Sequence, residues 1–351
     1  MPRLLNIFLS ALLFLLGAGA QAQTAPVNFA SGRTGLAIQS LGAACFSFDV
    51  SADTLPCNPA FVAMQQEQSF RANIFGDNNI SHLNDTVALV QGTGQQSNVQ
   101  NLFSSRSNSQ FDTRIEAAYL NHDFGLSYEP FGVSYLSSFR NPALPQITLF
   151  ASVENSVRLQ LASFASASDV YLGVQIRYLD RQIIASRFFL TDLLAEGGSS
   201  LVKAQEQQYY FLEPGIVYAP KSDFWNPQVT FNFINWGAHV NSIAATDPSP
   251  EAHLGFSVSP EIGWGRWGWA LDTTWSQNII NASDALTVGS FYQMGILKAF
   301  GSVSTTSSGA GFSVLYDRLN LGLSYTTIAE RIDADNSVSE QRVFFLLGAE
   351  L

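Results

Sequence analysis

The feature that most constrains the fold is a strict alternation of apolar with small or polar residues, repeated along most of the chain. Between residues 170 and 178, for example, Leu172, Val174 and Ile176 alternate with Gly173 and Gln175. The same alternation occupies segments 157–162, 170–178, 229–233, 254–264, 267–276 and 319–326. Because successive side chains of a strand point to opposite faces, each segment predicts a strand with one apolar face.

The composition of the second face of these strands indicates that the sheet spans a membrane and is not a soluble domain. It carries mainly Gly, Ala, Ser, Asn and Gln, and only 13% of the chain is charged, against roughly 25% in soluble domains. After residue 22 we find no run of the ~18 apolar residues that a spanning helix requires. A closed barrel satisfies every backbone group in lipid without such a helix. We therefore predict an all-β fold, a transmembrane antiparallel β-barrel of about 12–14 strands; a secreted β-sandwich or β-solenoid is the alternative.

The first 22 residues have the pattern of a signal peptide. Arg3 precedes an apolar run over 4–16, and Ala20-Gln21-Ala22 resembles a cleavage site. We expect export through a cleaved signal peptide and residence in the outer membrane of a Gram-negative bacterium. The predicted domains are 1–22 as signal peptide, 23–67 as N-terminal hatch segment and 68–351 as transmembrane β-barrel.

The last eleven residues predict the closing strand. Val343, Phe345, Leu347, Ala349 and Leu351 share one face. An apolar closing strand at the chain end resembles the signal that the barrel-assembly machinery recognises, so that machinery is an expected partner, together with outer-membrane lipid. The C-terminus is then expected on the periplasmic side.

Aromatic residues cluster where strands are expected to leave the membrane. Trp264, Trp267, Trp269 and Trp275 are predicted to lie at the membrane interface, as the aromatic girdles of barrels do. The sequence Trp264-Gly265-Arg266-Trp267 predicts a two-residue hairpin turn between the first two tryptophans at one rim.

Five charged residues have the parity that points into the lumen. They are Arg114, Glu116, Arg158, Arg177 and Asp272. A charge on the lipid face costs about 2–4 kcal/mol near the midplane, so the lumen is their expected location. They predict either a ladder of salt bridges that fills the barrel or a site where arginines meet an anionic head group or the acidic residues Asp49 and Asp53 of the hatch segment.

Residues 23–67 alternate less regularly and contain the only two cysteines, Cys45 and Cys57. The periplasm is oxidising, which favours a disulfide between them; two unpaired thiols packed in the lumen are the alternative. Asn58-Pro59 predicts a rigid turn, because Asn caps its own turn and Pro fixes φ. An ordinary loop leading into the first strand would also fit.

The same region resembles a known family. Ser40-Leu41-Gly42-Ala43-Ala44, then Ser51-Ala52-Asp53-Thr54-Leu55, then Asn58-Pro59-Ala60 are similar to the opening of the FadL/PorV/TraF-like outer-membrane barrels. Residues 139–145, between two predicted strands, are similar to a loop in members of that group. Cys57 stands where that group usually has an aromatic residue. The resemblance implies that the N-terminal segment folds into the lumen as a hatch, with Asp53, Asn58, Pro59 and Ala60 in its turn.

Patterns for catalysis, cofactors and metals are missing from the sequence. There are four histidines, His82, His122, His239 and His253, and none has a Gly-x-Ser-x-Gly motif or metal-type spacing beside it. We therefore expect no enzyme activity, no cofactor and no metal site. The formal net charge of −11 argues against nucleic acid as a partner.

Two functions remain. The favoured one is a transporter or channel for small hydrophobic molecules, which would be its ligands. The alternative is a non-conducting outer-membrane anchor or assembly component for exported proteins or for conjugation or secretion machinery. A transporter should have a continuous apolar pocket beside the hatch, whereas an anchor should have a packed, polar lumen.

Overall fold

The structure is a computed structural model that describes residues 35–49, 54–78, 80–103, 109–140, 145–165, 169–195, 197–222, 224–241, 247–276, 282–333 and 336–351, without the side chains of residue 140 and of 328–340. The predicted signal peptide, Asp53 and the centre of the 139–145 loop lie outside the described residues.

Sixteen strands form one antiparallel sheet. They are β1 Ser69–Asp77, β2 Ser109–Leu120, β3 Phe124–Arg140, β4 Gln146–Ala165, β5 Val170–Phe189, β6 Gln205–Tyr218, β7 Gln228–Ile234, β8 Gly237–Val240, β9 Glu251–Val258, β10 Glu261–Ile262, β11 Gly265–Ser276, β12 Leu286–Met294, β13 Leu297–Ser304, β14 Ser307–Tyr316, β15 Leu319–Asp333 and β16 Asn336–Glu350. β8 continues β7 along β6, and β10 continues β9 along β11. The remaining 14 strands close into a barrel, which confirms the predicted fold class and strand number.

The first and last strands close the barrel. In their antiparallel pairing, Arg71 lies opposite Glu350, and their side chains form an ion pair at 2.8 Å. The backbone N–H of Leu351 donates to the carbonyl of Phe70 at 2.8 Å. Leu347 is 51% exposed on the outer face of this closing strand. The C-terminal strand is therefore a full member of the wall, with its apolar side directed outward.

The alternation in the sequence separates the two faces of the wall. In β5, Leu172 and Ile176 are about half exposed, whereas Gln175 and Arg177 are buried. An aromatic pair marks one edge of this apolar outer band: Tyr178 lies 5.1 Å from Tyr210 on the outer face. Above this pair, the outward-facing Asn155 and Asp180 are hydrogen bonded at 3.4 Å. Aromatic side chains on the outer face with polar residues beyond them along the strand are typical of an aromatic girdle at the membrane boundary.

The four tryptophans predicted at the interface all lie on the outer side of the barrel or in its rim. Trp267, Trp269 and Trp275 are 40–45% exposed on the outer face of β11, and Trp264 is 76% exposed. Trp267 and Trp275 are eight residues apart, or roughly 26 Å along the strand, which suits the two edges of the apolar band. The predicted hairpin turn was wrong by two positions: Gly263 and Trp264 form the turn, and Ile262 pairs with Gly265. This register directs Arg266 into the lumen, where it forms an ion pair.

The wall extends beyond the membrane on one side. β4 and β5 have 20 residues each, about twice the 9–11 that a strand needs to cross the bilayer. Helices α2 Leu83–Val90, α3 Gln96–Phe103 and α4 Leu190–Leu194 pack on this extension. They cover residues such as Leu149 and Ala151, which have the same outward parity as Val157. The alternation in the sequence did not predict these helices.

The N-terminal segment lies inside the barrel. It comprises helix α1 Leu36–Leu41 and two 3₁₀ helices, Gly42–Ser47 and Pro59–Met64. α1 contacts β13 to β16, the first 3₁₀ helix contacts β7, β9, β11, β12 and β14, and the second contacts β3 to β6. Shorter 3₁₀ helices occur at Ile80–His82, Gly198–Leu201 and Ala282–Ala285. Among the described residues, no helix is long and apolar enough to cross a membrane.

Candidate functional site

The lumen is the candidate functional site, and we call residues 35–49 and 54–64 the lumenal segment. Inward-facing glycines of the wall lie directly against this segment. A Cβ atom added to any of these glycines would overlap atoms of the segment. The contacts join Gly322 to Leu36, Gly311 and Gly309 to Ser40, Gly289 to Ala44, Gly255 to Ser47, Gly215 to Asn58, and Gly173 to Ala60. The missing side chains let the segment follow the inner wall at van der Waals contact.

The two cysteines join the halves of the lumenal segment. Cys45 and Cys57 form a disulfide, with Cα atoms 5.8 Å apart, within the range such bonds require. Cys45 lies in the first 3₁₀ helix, and Cys57 lies just before the second. The bond therefore fixes the two 3₁₀ helices relative to each other.

The predicted turn at Asn58-Pro59-Ala60 starts the second 3₁₀ helix. The Asn58 side chain accepts a hydrogen bond from the backbone N–H of Ala60 at 3.0 Å, and Pro59 takes the first position of the helix. The Asn58 amide also donates to the carbonyl of Phe231 at 3.3 Å. One side chain thus caps the helix and binds it to the wall, and all three turn residues are buried.

A second polar contact attaches the first 3₁₀ helix to β11 and β9, and β9 is next to the strand β7 that Asn58 contacts. The Ser47 hydroxyl donates to one carboxylate oxygen of Asp272 at 2.9 Å, and the other oxygen lies 3.2 Å from Nδ1 of His253. The ring of Phe46 stacks on His253 with centroids 4.1 Å apart. Because the hydroxyl bonds to the carboxylate and not to the imidazole, this is not the order of a catalytic triad.

The acidic residue of the segment has a different partner from the one predicted. Asp49 accepts a hydrogen bond from Arg266 at 2.7 Å, whereas the sequence pointed to Arg114, Arg158 or Arg177. Those three arginines are buried and pair with carboxylates of the wall instead. The hypothesis that they form ion pairs with the acidic residues of the hatch segment is therefore wrong for Asp49.

Arg114 is the centre of a buried ionic cluster in β2, β3 and β4. Its guanidinium lies 2.9 Å from Asp112, 2.8 Å from Glu129 and 3.2 Å from Glu154, and it donates to Ser134 at 3.1 Å. Each partner is less than a tenth exposed. Several hydrogen bonds to one guanidinium are the arrangement that compensates the desolvation of buried charge.

Two further ion pairs extend this polar half of the lumen. Arg158 pairs with Glu116 and donates to Ser127 at 2.9 Å. Arg177 pairs with Glu213 at 3.0 Å. Together with Asp272, all five residues that the sequence placed in the lumen are buried on the inner side. They form salt bridges with each other or with the wall, the arrangement expected of a lumenal ladder.

The wall is interrupted beside the Arg114 cluster. Between β2 and β3 the pairing skips from Ile115 to Ala117, and between β3 and β4 it skips from Glu129 to Gly132. Pro130 lies in this gap and has no N–H to donate. Both ladders of β3 therefore shift register at the same height, a bulge that we call the break in β3, and the carboxylate of Glu129 lies immediately behind it.

The other half of the lumen is apolar. From the lumenal segment, Leu36, Leu41, Ala44 and Phe48 contribute to a buried cluster, and from the wall Phe75, Ala270, Phe291, Phe300 and Leu346 contribute to it. The rings of Phe48 and Phe291 meet edge to face at 4.9 Å. We call this contact between the segment and β11, β12, β13, β16 and β1 the apolar seam. It is continuous along α1 and the first 3₁₀ helix.

Sequence reasoning missed the glycine contacts and the apolar seam. The signal for the glycines was present, since they fall at inward parity in segments such as 170–178 and 254–264. A glycine at inward parity in several strands indicates that another backbone approaches. The sequence does not say which segment approaches, because the contacts join residues more than a hundred positions apart.

Comparison with known proteins is informative at the level of structure. No family model matches the chain, and no curated protein matches it in sequence. A structure described as a mutant of the monoaromatic hydrocarbon channel TodX has a TM-score of 0.51 and 10% identity, and the match covers 90% of this chain and 98% of that one. The toluene transporter TodX of Pseudomonas putida matches with a TM-score of 0.46 at 9% identity, covering 93% and 99%.

A FadL homologue of Pseudomonas aeruginosa matches with a TM-score of 0.40 at 9% identity, covering 93% and 99% of the two chains. The assignment of the fold rests on the first match, which spans nearly the whole of both chains. With the 14-strand ring and its occupied lumen already described, this protein has the fold of the FadL-like outer-membrane β-barrels, as the resemblance of its N-terminal region predicted.

Proposed function

We propose that the protein is an outer-membrane channel for small hydrophobic molecules, in which the lumenal segment is a hatch. The apolar seam carries this proposal. It provides apolar surface on both sides, and a small apolar molecule gains about 25 cal/mol for each Å² that it removes from water. Structures with the same fold include one described as a monoaromatic hydrocarbon channel, and that description agrees with the chemistry of the seam.

The break in β3 suggests a route between the lumen and the bilayer. Around Pro130 the pairing shifts register on both sides, and a bulge disrupts the ladder locally, so separating the strands there disrupts less regular backbone structure than elsewhere. The break lies opposite Asn155, just above the Tyr178–Tyr210 pair, so an apolar molecule that leaves through it reaches the bilayer at the edge of the hydrocarbon. In the proposed route the Arg114 cluster lies behind this break and holds it closed.

A second candidate function is a non-conducting anchor for exported proteins or secretion machinery. The polar half of the lumen favours it, because Arg114, Arg158 and Arg177 are fully paired there and the wall and segment are in contact. In that function the segment would fill the barrel permanently, and no ligand would enter the seam.

Uptake by intact cells distinguishes the two candidates. Cells that express the protein are compared with cells that lack it, and the entry of radiolabelled toluene at limiting concentration is followed. Replacing Phe291 by Gln places an amide in the seam and is expected to lower the rate severalfold, whereas Tyr316→Gln, at an exposed aromatic residue outside the lumen, should not. Equal uptake with and without a correctly inserted barrel would reject the channel and favour the anchor.

A further inference from the structure

A cleft lies on the outer face of the part of the wall that extends beyond the membrane. Its volume is about 540 Å³, and it is bounded by the C-terminal end of α2, by the segment 198–204 and by β5 and β6. Gln182 and Glu206 are among the residues that line it, and they are directly opposite each other in the β5–β6 ladder. Their parity is that of Tyr178 and Tyr210, so the cleft is outside the barrel and separate from the lumen.

The height of the cleft places it next to lipid headgroups. Gln182 is four residues above Tyr178, whose ring pairs with Tyr210 in the girdle. Four residues rise roughly 13 Å along a strand, or about 10 Å along the membrane normal at the tilt usual for barrels. The headgroup layer occupies roughly 5–8 Å at each face of the bilayer. The floor of the cleft therefore lies about 2–5 Å beyond that layer, at the level to which the sugars of a glycolipid project.

The lining of the cleft combines one positive, one negative and one neutral hydrogen-bonding side chain. Lys203 contributes an ammonium, Glu206 a carboxylate and Gln182 an amide. Within the described part of the chain, these three side chains form no hydrogen bond or ion pair. Val90 and Val202 supply apolar surface between them. Donors and acceptors interspersed with apolar patches match the hydroxyl groups and the C–H faces of a sugar ring.

We propose that this cleft binds the saccharide headgroup of a glycolipid in the leaflet on the side of the membrane away from the C-terminus. The glycolipid's acyl chains lie against the apolar band below Tyr178 and Tyr210, and its sugar reaches the level of Gln182 and Glu206. The lipid anchor holds the sugar beside the cleft, which raises its effective concentration. This site is independent of the apolar seam and of any transport through the lumen.

The test measures binding of a rough-type lipopolysaccharide, whose headgroup is a short oligosaccharide, to the full-length mature protein in phosphatidylcholine nanodiscs. The double substitution Gln182→Ala with Glu206→Ala is expected to weaken binding about tenfold, since two hydrogen-bonding side chains are lost. Gln208→Ala is the matched control and should leave the Kd unchanged, because Gln208 lies on the same outer face of β6, two residues below Glu206 and outside the cleft lining. Heat-modifiable migration confirms that each variant is folded.

Two competition experiments distinguish the possible ligands. The free core oligosaccharide should compete, but more weakly than the intact lipid. Phosphatidylglycerol should not compete. Equal Kd values for wild type and double variant, no competition by the oligosaccharide, or equally good competition by phosphatidylglycerol would each overturn a saccharide site. Oligosaccharide binding as tight as that of the lipid would overturn the assignment to a membrane-borne ligand.

Discussion

The hydroxyl of Ser47 donates a hydrogen bond to the carboxylate of Asp272 at 2.9 Å, across a separation of 225 positions in the sequence. Ser47 belongs to the lumenal segment, and Asp272 is in the middle of β11. The same carboxylate contacts His253 of β9. A single buried acidic group thus connects the segment to two neighbouring strands of the wall.

Ser47→Ala removes this connection and leaves Asp272 bound to His253. A net loss of roughly 1 kcal/mol is expected for one buried hydrogen bond, and it should affect the segment rather than the barrel. Hydrogen exchange of residues 36–47 should become faster, while that of β11 remains slow. Ser40→Ala serves as a comparison within the segment, because Ser40 bonds to Ser324 of β15 instead. Slower or unchanged exchange in 36–47 would contradict the role of Ser47.

The contact between Gly289 and Ala44 can be tested by complementary substitutions. A Cβ on Gly289 would overlap the Cβ of Ala44, so Gly289→Ala should displace the segment and make it accessible to proteases. Ala44→Gly should restore protection in the double variant. Gly301→Ala is the control, because a Cβ there has only the carbonyl oxygen of Gly309 near it, at 3.7 Å. Failure of Ala44→Gly to rescue would show that the contact is not what holds the segment.

Much of the barrel could be predicted from the sequence because β-strand alternation is a local property. The lumenal location of Arg114 and Asp272 followed from parity alone. The partner of Asp49 did not, because Arg266 is 217 positions away and its inward direction depends on a turn at Gly263 and Trp264. The helices over β3 to β5 also escaped prediction, since each is only eight residues or fewer and their apolar faces are too short to show a clear period.

The disulfide should constrain the segment without supporting the barrel. Replacing Cys45 and Cys57 by Ala opens a short loop, whose closure is worth about 3 kcal/mol in chain entropy. We expect faster proteolysis between residues 48 and 57 and no change in the temperature at which the barrel loses its heat-modifiable form. A large fall in that temperature would mean that the segment and the wall unfold together.

The Arg114 cluster should be the most sensitive polar site of the wall. Arg114→Met leaves three carboxylates without their shared partner, and removal of one member of a buried ionic network costs roughly 3–5 kcal/mol. Urea-induced unfolding in lipid vesicles should show a clear loss of stability. Arg318→Met, in the exposed turn between β14 and β15, should have little effect. Equal stability of the two variants would contradict a structural role for the cluster at the break in β3.

The central claim is that residues 36–60 close the lumen, and ion conductance across a planar lipid bilayer tests it most directly. The wild-type barrel should show no steady conductance, because the segment contacts the wall from β16 round to β3. A variant that lacks residues 28–60 but retains heat-modifiable migration should conduct steadily. A folded deletion variant that conducts no better than the wild type would contradict the claim and show that the side chains of the wall block the lumen by themselves.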